Sequence, residues 1–286
     1  MIMNETKSNN RGKLLAAIAI IAMVLCVFAV AIPADDTQGV PAADSDYTDL
    51  GVKVPGEGVT TVNTFDELKA ELDKGTTTIS LVAPTGATTN SPAEIVIDEP
   101  VEVKSTTTLY IAGATFSDYN NTDSNLKVTI ADDVTVTISG TVYVNGGTSA
   151  REFVLSVNGD IVMNAGGEIY LTAAPTFGAN ASVSGFFTSF GGKWTNYKQA
   201  YAGTITDLVS NVKDSTYSDC NVAEKRIYAY GNLAISEAVS ASEITLVVGG
   251  VSGAASEVTV SSTGATFADI IVKSGSAING TGLKIG

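Results

Sequence analysis

Short alternating strands that recur in groups of three are the feature that most constrains the fold of this chain. One group has three segments that begin eight residues apart, and these are Leu126/Val128/Ile130, Val134/Val136/Ile138 and Val142/Val144. A second group starts 27 residues later, with Phe153/Leu155/Val157, Ile161/Met163 and Ile169/Leu171. A looser group precedes both, with Ile95/Ile97, Val101/Val103 and Leu109/Ile111. Apolar residues at every second position predict β-strands that bury one face.

Three short strands per repeat, at a period between the twenties and about thirty residues, favour a parallel β-helix. Each coil of such a solenoid buries its inward residues only by stacking on its neighbours. A β-sandwich is the alternative, because strands spaced by about 8 to 12 residues also occur in that fold. Segments of three to five residues are short for sandwich strands. We therefore predict an all-β solenoid.

Residues 64–75 predict an amphipathic helix just ahead of these strands. Thr64 and Glu67 form an S/T-x-x-E capping box, and Gly75 supplies the stop signal. The apolar residues on one helical face are Phe65, Leu68 and Leu72. A helix at this position is expected to cover the open end of the first coil.

Residues 1–34 have the pattern of a signal sequence or an N-terminal membrane anchor. Basic residues precede an uncharged apolar run over residues 14–32, and acidic residues follow it. Nineteen helical residues extend about 28 Å, close to a hydrocarbon thickness of about 30 Å. Ala29 and Ala31 suit cleavage, whereas Pro33 disfavours it, so cleavage and retention both stay open. The basic flank is expected to stay in the cytoplasm, with the chain after residue 34 outside.

Residues 35–58 are polar, acidic and rich in proline and glycine, which predicts a flexible linker. Beyond residue 34 the chain carries 13 basic and 29 acidic residues, a formal net charge of about −16. Such a charge repels nucleic acid, so no nucleic-acid partner is expected. This part also holds a single cysteine, Cys220, and therefore forms no internal disulfide.

The remaining chain divides into three parts. Residues 59–176 are predicted to form the solenoid with its capping helix, and residues 225–286 to add further strands. Between them, residues 177–224 form an aromatic-rich insertion. Its large apolar residues at spacings of three and four suit helices, while interrupting glycines allow a folded loop equally. Those residues are Phe190, Trp194, Tyr197, Tyr201, Ile205, Leu208 and Val212.

The composition excludes several kinds of catalytic and metal-binding site. The chain has no histidine, which removes Ser-His-Asp and Cys-His catalysis and histidine-ligated metals. Two cysteines cannot hold an iron–sulfur cluster, and no G-x-x-x-x-G-K-[ST] loop is present. Acidic residues such as Asp98, Glu99, Asp132 and Asp133 occupy turn positions, where solvated carboxylates are ordinary. We expect no enzymatic activity and no cofactor.

A loop of oxygen-bearing side chains runs from Asp118 to Asp123. It departs from the calcium-loop pattern, because glycine is missing from the sixth position and Thr129 occupies the twelfth. We therefore predict an ordinary loop and no metal site.

Carbohydrate contacts are predicted in two forms. The aromatic residues Trp194, Tyr197 and Tyr201 either stack on sugars or pack onto the core, and their helical spacing favours packing. Acceptor tripeptides for N-glycosylation begin at Asn120, Asn180 and Asn279.

Three segments carry a resemblance to a known kind of domain. They are VTTVNTFDELKAELDKGTTTISLVAP, IVIDEPVEVKSTTTLYIAGATF and LKVTIADDVTVTISGTVYV, between residues 59 and 144. This stretch, about a third of the chain, resembles the opening of pectate-lyase-like right-handed β-helix domains in adhesin-like surface proteins of archaea and bacteria. The resemblance implies right-handed coils and a surface or adhesive role, with no conserved active site.

Together these patterns favour a non-enzymatic cell-surface protein, structural or adhesin-like, that is anchored in the membrane through residues 14–32 or secreted. Its expected partners are other surface proteins, copies of itself or glycans. The first alternative is a subunit of an extracellular filament or surface layer. Arg11-Gly12 resembles a prepilin cleavage site, and the strand-like residues 282–285 would pair with a neighbouring subunit. The second alternative is a carbohydrate-binding or polysaccharide-active β-helix protein.

Overall fold

The structure is a computed structural model. It describes residues 53, 55–56, 58–87, 91–111, 126–145, 154–191, 197, 199–213, 221–222, 226–251, 254–261 and 264–286. All of these belong to one structural unit that begins at Val40. The predicted membrane segment 14–32 and most of the predicted linker lie outside the described residues. Within the described part, no helix has both the length and the apolar character needed to cross a membrane.

Most of the described residues lie in β-strands, which confirms the prediction of an all-β chain. The first twelve strands are β1 (Thr60–Val62), β2 (Thr78–Leu81), β3 (Ala93–Ile97), β4 (Val101–Val103), β5 (Thr108–Ile111), β6 (Leu126–Ile130), β7 (Thr135–Ile138), β8 (Thr141–Val144), β9 (Val154–Val157), β10 (Asp160–Met163), β11 (Glu168–Leu171) and β12 (Thr176–Phe177). The others are β13 (Ser182–Gly191), β14 (Gln199–Ala202), β15 (Asn221–Val222), β16 (Arg226–Tyr230), β17 (Asn232–Ile235), β18 (Val239–Val248), β19 (Glu257–Val260), β20 (Ala265–Val272), β21 (Ala277–Gly280) and β22 (Leu283–Ile285). The helices of the described chain are α1 (Phe65–Lys74) and α2 (Ile205–Lys213).

Strands β1 to β12, which we call the first stack, form three rows of parallel strands. From β5 onward, each strand pairs with the strand three positions earlier in the chain. The rows are therefore β2-β5-β8-β11, β3-β6-β9-β12 and β4-β7-β10. Register is kept between successive three-strand repeats, each of which we call a coil, since Leu109 lies opposite Val142 and Val142 lies opposite Ile169. Each strand therefore pairs with the strand at the same position in the next repeat.

The interior of the first stack is filled by the residues that the alternating pattern singled out. Every described residue of the three predicted groups is buried except Val101, which is partly exposed. Phe153 lies outside the described residues. Burial of a large aliphatic side chain contributes about 1.5–3 kcal/mol, so repeated stacking of such residues is the main source of stability.

Helix α1 has the capping interactions that its sequence predicted. The Glu67 backbone N–H donates to the Thr64 side chain at 3.2 Å, and Gly75 ends the helix in the left-handed region with φ 79°. Leu68 and Leu72 are buried, and α1 packs against β2, β3 and β4 at the start of the first stack. The predicted amphipathic helix is confirmed at this position.

Glycines at the corners let successive coils approach closely. A Cβ built on Gly140 would lie 2.2 Å from the carbonyl oxygen of Lys104 and 2.3 Å from that of Thr107 in the preceding turn. Gly159 and Gly167 meet the carbonyls of earlier turns in the same way. A side chain does not fit at these three positions, because the atoms in the way are backbone.

The insertion contains β-strands, although the spacing of its large apolar residues was compatible with helices. Strands β13 and β14 pair antiparallel, with Phe187 opposite Tyr201. Among the described residues of the pattern, those in its last part are helical, since Ile205 and Leu208 lie in α2. The reason is that β13 is buried on both faces, with Phe186 in one core and Phe187 in another. A strand buried on both faces loses the alternation by which strands are recognised.

Strands β16 to β22 form a second stack, again with parallel pairing. One row is β17-β19-β21. In a second row, Val239–Ala241 of β18 pairs with Ala265–Phe267 of β20. In a third row, β16 pairs with Thr245–Val248 of β18, and this segment pairs with Asp269–Val272 of β20. Within the described part of the chain, strand β22 pairs with Ala265–Phe267 of β20. The antiparallel strands β14 and β13 join this stack to the first, because β14 pairs with β11 and β13 pairs with β16.

The two stacks bury opposite faces of one continuous sheet. Side chains of register partners project to the same face, and successive residues project to opposite faces. Ile169 is opposite Tyr201, and both belong to the core of the first stack. The next residue, Tyr170, is opposite Ala200, which belongs to the core of the second stack. The outer face of the first stack therefore continues directly into the interior of the second.

Candidate interaction surfaces

A column of tyrosines lies on the outer face of the first stack. Tyr110, Tyr143 and Tyr170 are register partners in β5, β8 and β11, and their ring centroids are 5.3 and 5.4 Å apart. Tyr197 of the insertion adds a fourth ring, 5.8 Å from Tyr143 and 5.7 Å from Tyr170. Aromatic pairs of this kind contribute about 0.5–1.5 kcal/mol each beyond burial. Stacked rings cover one another, so the column stabilises the coils.

The sequence does contain a signal for this column. The strands TLYI, TVYV and EIYL each place tyrosine directly after an inward aliphatic residue. Because the coils stack in register, equal positions in successive strands become neighbours. Alignment of the repeats on their inward residues predicts the column, which inspection of each strand alone does not.

Tyr197 also closes a hydrogen-bonded clasp, formed by Lys53, Asn145 and Tyr197. The Tyr197 hydroxyl donates to Asn145 Oδ1 at 2.8 Å and accepts from the Lys53 backbone N–H at 3.1 Å. Asn145 Nδ2 donates to the Lys53 carbonyl oxygen at 2.8 Å. Asn145 and Tyr197 are buried. The clasp therefore fixes the chain, near the end of the predicted linker, to the end of β8.

A second aromatic cluster lies where the two stacks meet. Phe187 contacts Tyr201 at a centroid distance of 4.7 Å, and Tyr228 and Tyr230 each at 5.7 Å. Burial raises the pKa of Tyr201, and the nearby Tyr230 adds to this. Burial also raises the pKa of Tyr230, with a further contribution from Tyr228. These two phenols stay protonated well above the ordinary tyrosine range.

Two of the three candidate sugar-stacking residues, Tyr197 and Tyr201, lie in the described part of the chain, and both are buried. Trp194 lies outside the described residues. Tyr197 is 3% exposed and Tyr201 is 6% exposed. A ring that stacks on a sugar needs an accessible face. The structure places these two tyrosines in the packing of the insertion instead.

Polar side chains form short rows across neighbouring coils on the outside of the first stack. Lys127 Nζ donates to Glu94 Oε1 at 2.8 Å, and Thr129 Oγ1 donates to the same oxygen at 2.9 Å. These hydrogen bonds, from Lys127 first and Thr129 second, lower the pKa of Glu94. An exposed pair of this type contributes little to stability. The row keeps this surface charged and hydrated.

The predicted glycosylation acceptors occupy different surroundings. Asn180 is exposed in the turn before β13. Asn279 is exposed within β21, and its Nδ2 donates to Glu257 Oε1 at 2.7 Å. Asn120 lies outside the described residues. The turn leaves Asn180 the more accessible of the two described acceptors.

Acidic side chains of the described turns do not gather into a site. Asp98, Glu99, Asp132 and Asp133 are exposed, and Asp133 adopts φ 61° in its turn. Among the described residues, no group of three or more His, Cys, Asp or Glu side chains is placed to hold a metal ion. The predicted loop from Asp118 to Asp123 lies outside the described residues.

The last coil of the second stack forms a surface that we call the open end. It consists of Asp269–Val272 of β20, strand β21 and strand β22. Each of these segments pairs with an earlier strand on one edge, and the described chain supplies no strand for the other edge. The large apolar side chains exposed there are Ile271, Val272 and Ile285, at 39%, 42% and 67%.

Comparison with known proteins identifies no relative of this chain. No protein-family model, no curated protein and no solved structure matches it. Its function is accordingly inferred from its own residues and geometry.

Proposed function

We propose that this protein is a non-enzymatic structural or adhesin-like component of the cell surface, built on a right-handed parallel β-helix. The observation that carries the proposal is the register of the first stack, where three rows of parallel strands repeat from coil to coil. In a β-sandwich, the strands within each sheet pair antiparallel. In the described chain the antiparallel pairs all involve β13 or β14, at the junction of the stacks.

The use of aromatic side chains supports a structural role. Tyr197 and Tyr201, for which the sequence left sugar stacking open and favoured packing, contribute to packing and to the clasp. The column of Tyr110, Tyr143 and Tyr170 joins successive coils. Rings used in this way tie successive coils together, which suits a structural role.

The N-terminal pattern supports the surface location. The apolar run over residues 14–32 follows basic residues, and an acidic, proline- and glycine-rich stretch comes after it. The clasp at Lys53 would then attach the folded part directly to the tether that leaves the membrane. A net charge of about −16 beyond residue 34 keeps such a surface soluble and repels anionic polymers.

Labelling of intact native cells tests this proposal. A membrane-impermeant amine reagent should label lysines of the folded part, such as Lys104 and Lys127, before the cells are lysed. A cytoplasmic protein serves as the control and must be labelled only after lysis. The intact mass of the purified protein then distinguishes a retained anchor from cleavage near Ala31. A chain that is labelled only after lysis would overturn the surface location.

Assembly into a filament or surface layer is the second proposal, supported by the open end with its exposed apolar residues. Cleavage after Gly12, detected by mass, together with filaments seen by electron microscopy, would favour this assembly over a tethered monomer.

Carbohydrate binding is the third proposal and rests on Trp194. A glycan array that shows equal binding for wild type and Trp194→Ala would remove this residue as a contact.

A further inference from the structure

The acceptor tripeptide that begins at Asn180 lies in a turn that is anchored at both ends. The Gly178 N–H donates to the Val157 carbonyl oxygen at 2.8 Å, and the Ala181 N–H donates to the Gly178 carbonyl oxygen at 3.3 Å. Ala181 is buried, whereas Asn180 is exposed. The turn therefore holds the backbone in place and leaves the Asn180 side chain in solvent.

The side-chain amide of Asn180 is free to rotate, since it makes no hydrogen bond to another residue in the described part of the chain. This freedom matters for the chemistry of an amide nitrogen. Its electron pair is shared with the neighbouring carbonyl, as in the peptide bond. The nitrogen attacks a carbon atom only when it is turned out of that conjugation, which a free side chain in a turn permits.

The other described acceptor, Asn279, lacks this freedom. Its Nδ2 donates to Glu257 Oε1 at 2.7 Å. It also lies within strand β21, opposite Thr259 of β19. A bulky sugar attached there would have to fit beside the side chains of the neighbouring strand. The geometry therefore favours Asn180 over Asn279.

Ser182 supplies the hydroxyl that the acceptor tripeptide requires. It is the first residue of β13 and is exposed, and its Oγ donates to Asp160 Oδ1. A hydroxyl has one donor and two acceptor sites, so this bond leaves its acceptor sites available. The amide and the hydroxyl that a glycosylating enzyme needs thus both belong to exposed residues of the folded chain.

We propose that Asn180 carries an N-linked glycan, transferred from a sugar that is joined to a lipid through pyrophosphate. Asn180 Nδ2 forms a bond to the anomeric carbon of the first sugar. The bond between that carbon and the phosphate oxygen breaks, the lipid pyrophosphate leaves with its electron pair, and one Nδ2 proton is released. No oxidant or reductant is consumed. The inference rests on the proposed surface location, because this modification belongs to exported chains.

Mass spectrometry of tryptic peptides from the native full-length protein tests the assignment. Trypsin releases residues 152–193 with Asn180 as their one acceptor, and residues 274–284 with Asn279 as theirs. The first peptide should be found mainly with the added mass of a glycan, and the second mainly without it. An unmodified 152–193 peptide, or equal modification of both peptides, would overturn the proposal.

Variants of the full chain, expressed in the same cells, identify the reaction. Asn180→Gln should remove the glycan from peptide 152–193, and Ser182→Ala should remove it although Asn180 is kept. Ser182→Thr is the matched control and should retain the glycan, since threonine supplies the same hydroxyl. A glycan that persists in Ser182→Ala contradicts transfer directed by the tripeptide, while unchanged circular dichroism shows that the variants fold.

Surface labelling of the same cells separates this inference from the proposed location. A chain that is labelled before lysis but has an unmodified Asn180 refutes the glycan and leaves the surface location intact. A chain that is labelled only after lysis, again with an unmodified Asn180, refutes both.

Discussion

Substitution of a corner glycine is the sharpest test of the stacking that holds the first stack together. In Gly140→Ala, the new Cβ would lie 2.2 and 2.3 Å from two carbonyl oxygens of the preceding turn. Ordinary contact begins near 3.4 Å, so one coil must move away from the other by about 1 Å. Neither oxygen can turn aside, because both belong to the backbone.

The size of the effect follows from what that displacement breaks. The Gly140 N–H donates to the Val103 carbonyl oxygen at 2.9 Å, and the Thr141 N–H donates to that of Thr107 at 3.1 Å. Weakening of these two bonds lowers stability by about 1 kcal/mol each, and overpacking adds about 1–3 kcal/mol. Alanine also restricts the unfolded chain, which offsets about 0.4–1 kcal/mol. We expect a net loss of about 2–4 kcal/mol in the free energy of unfolding.

Urea unfolding followed by circular dichroism measures this loss. Gly264→Ala is the matched control, because a Cβ at Gly264 has no neighbour within 4 Å and its φ is not in the left-handed region. We expect this control to be neutral or slightly stabilising. If Gly140→Ala unfolds at the same urea concentration as Gly264→Ala, the close stacking of coils at this corner is wrong.

Three further predictions concern buried polar groups. Ser80→Ala should stabilise the protein by about 1 kcal/mol, because the buried Ser80 hydroxyl has no hydrogen-bond partner in the described structure; a loss of stability in urea unfolding would contradict this. Tyr197→Phe removes the hydroxyl that joins Asn145 to Lys53. We therefore expect faster tryptic cleavage at Lys53, whereas an unchanged rate would show that the clasp does not hold the chain. The raised pKa values of Tyr201 and Tyr230 mean that the unfolded state loses protons first as the pH rises. Stability should be complete below about pH 10 and fall above it, less so in a double Tyr→Phe variant, as urea unfolding at a series of pH values will show.

The strands of the first stack were predictable because their signal is local. Alternation of apolar and polar residues marks which side chains turn inward, and stacking then buries them. Helix α1 was predictable for the same reason, since Thr64, Glu67 and Gly75 act within a single helix. The apolar run over residues 14–32 predicts an export or anchoring segment by composition alone.

The insertion was not predictable from its spacing. Phe186 and Phe187 are adjacent in β13 but belong to different cores. The sequence around them therefore shows neither the two-residue period of a half-buried strand nor the 3.6-residue period of a helix. The role of Tyr197 also depends on partners 52 and 144 residues away. No pattern within the insertion contains that information, because the partners are brought together only by the stacking of coils.

The strand-rich class, the inward residues of each coil and the capped helix follow from the sequence, because these features depend on neighbouring residues. The burial of opposite faces in the two halves of one sheet is visible in the folded chain and not in the sequence. The same holds for the clasp at Tyr197 and for the position of Ile271 at an edge without a described partner strand. Exposure and pairing of these residues depend on the register between strands distant in the chain, which is set by the packing of whole coils.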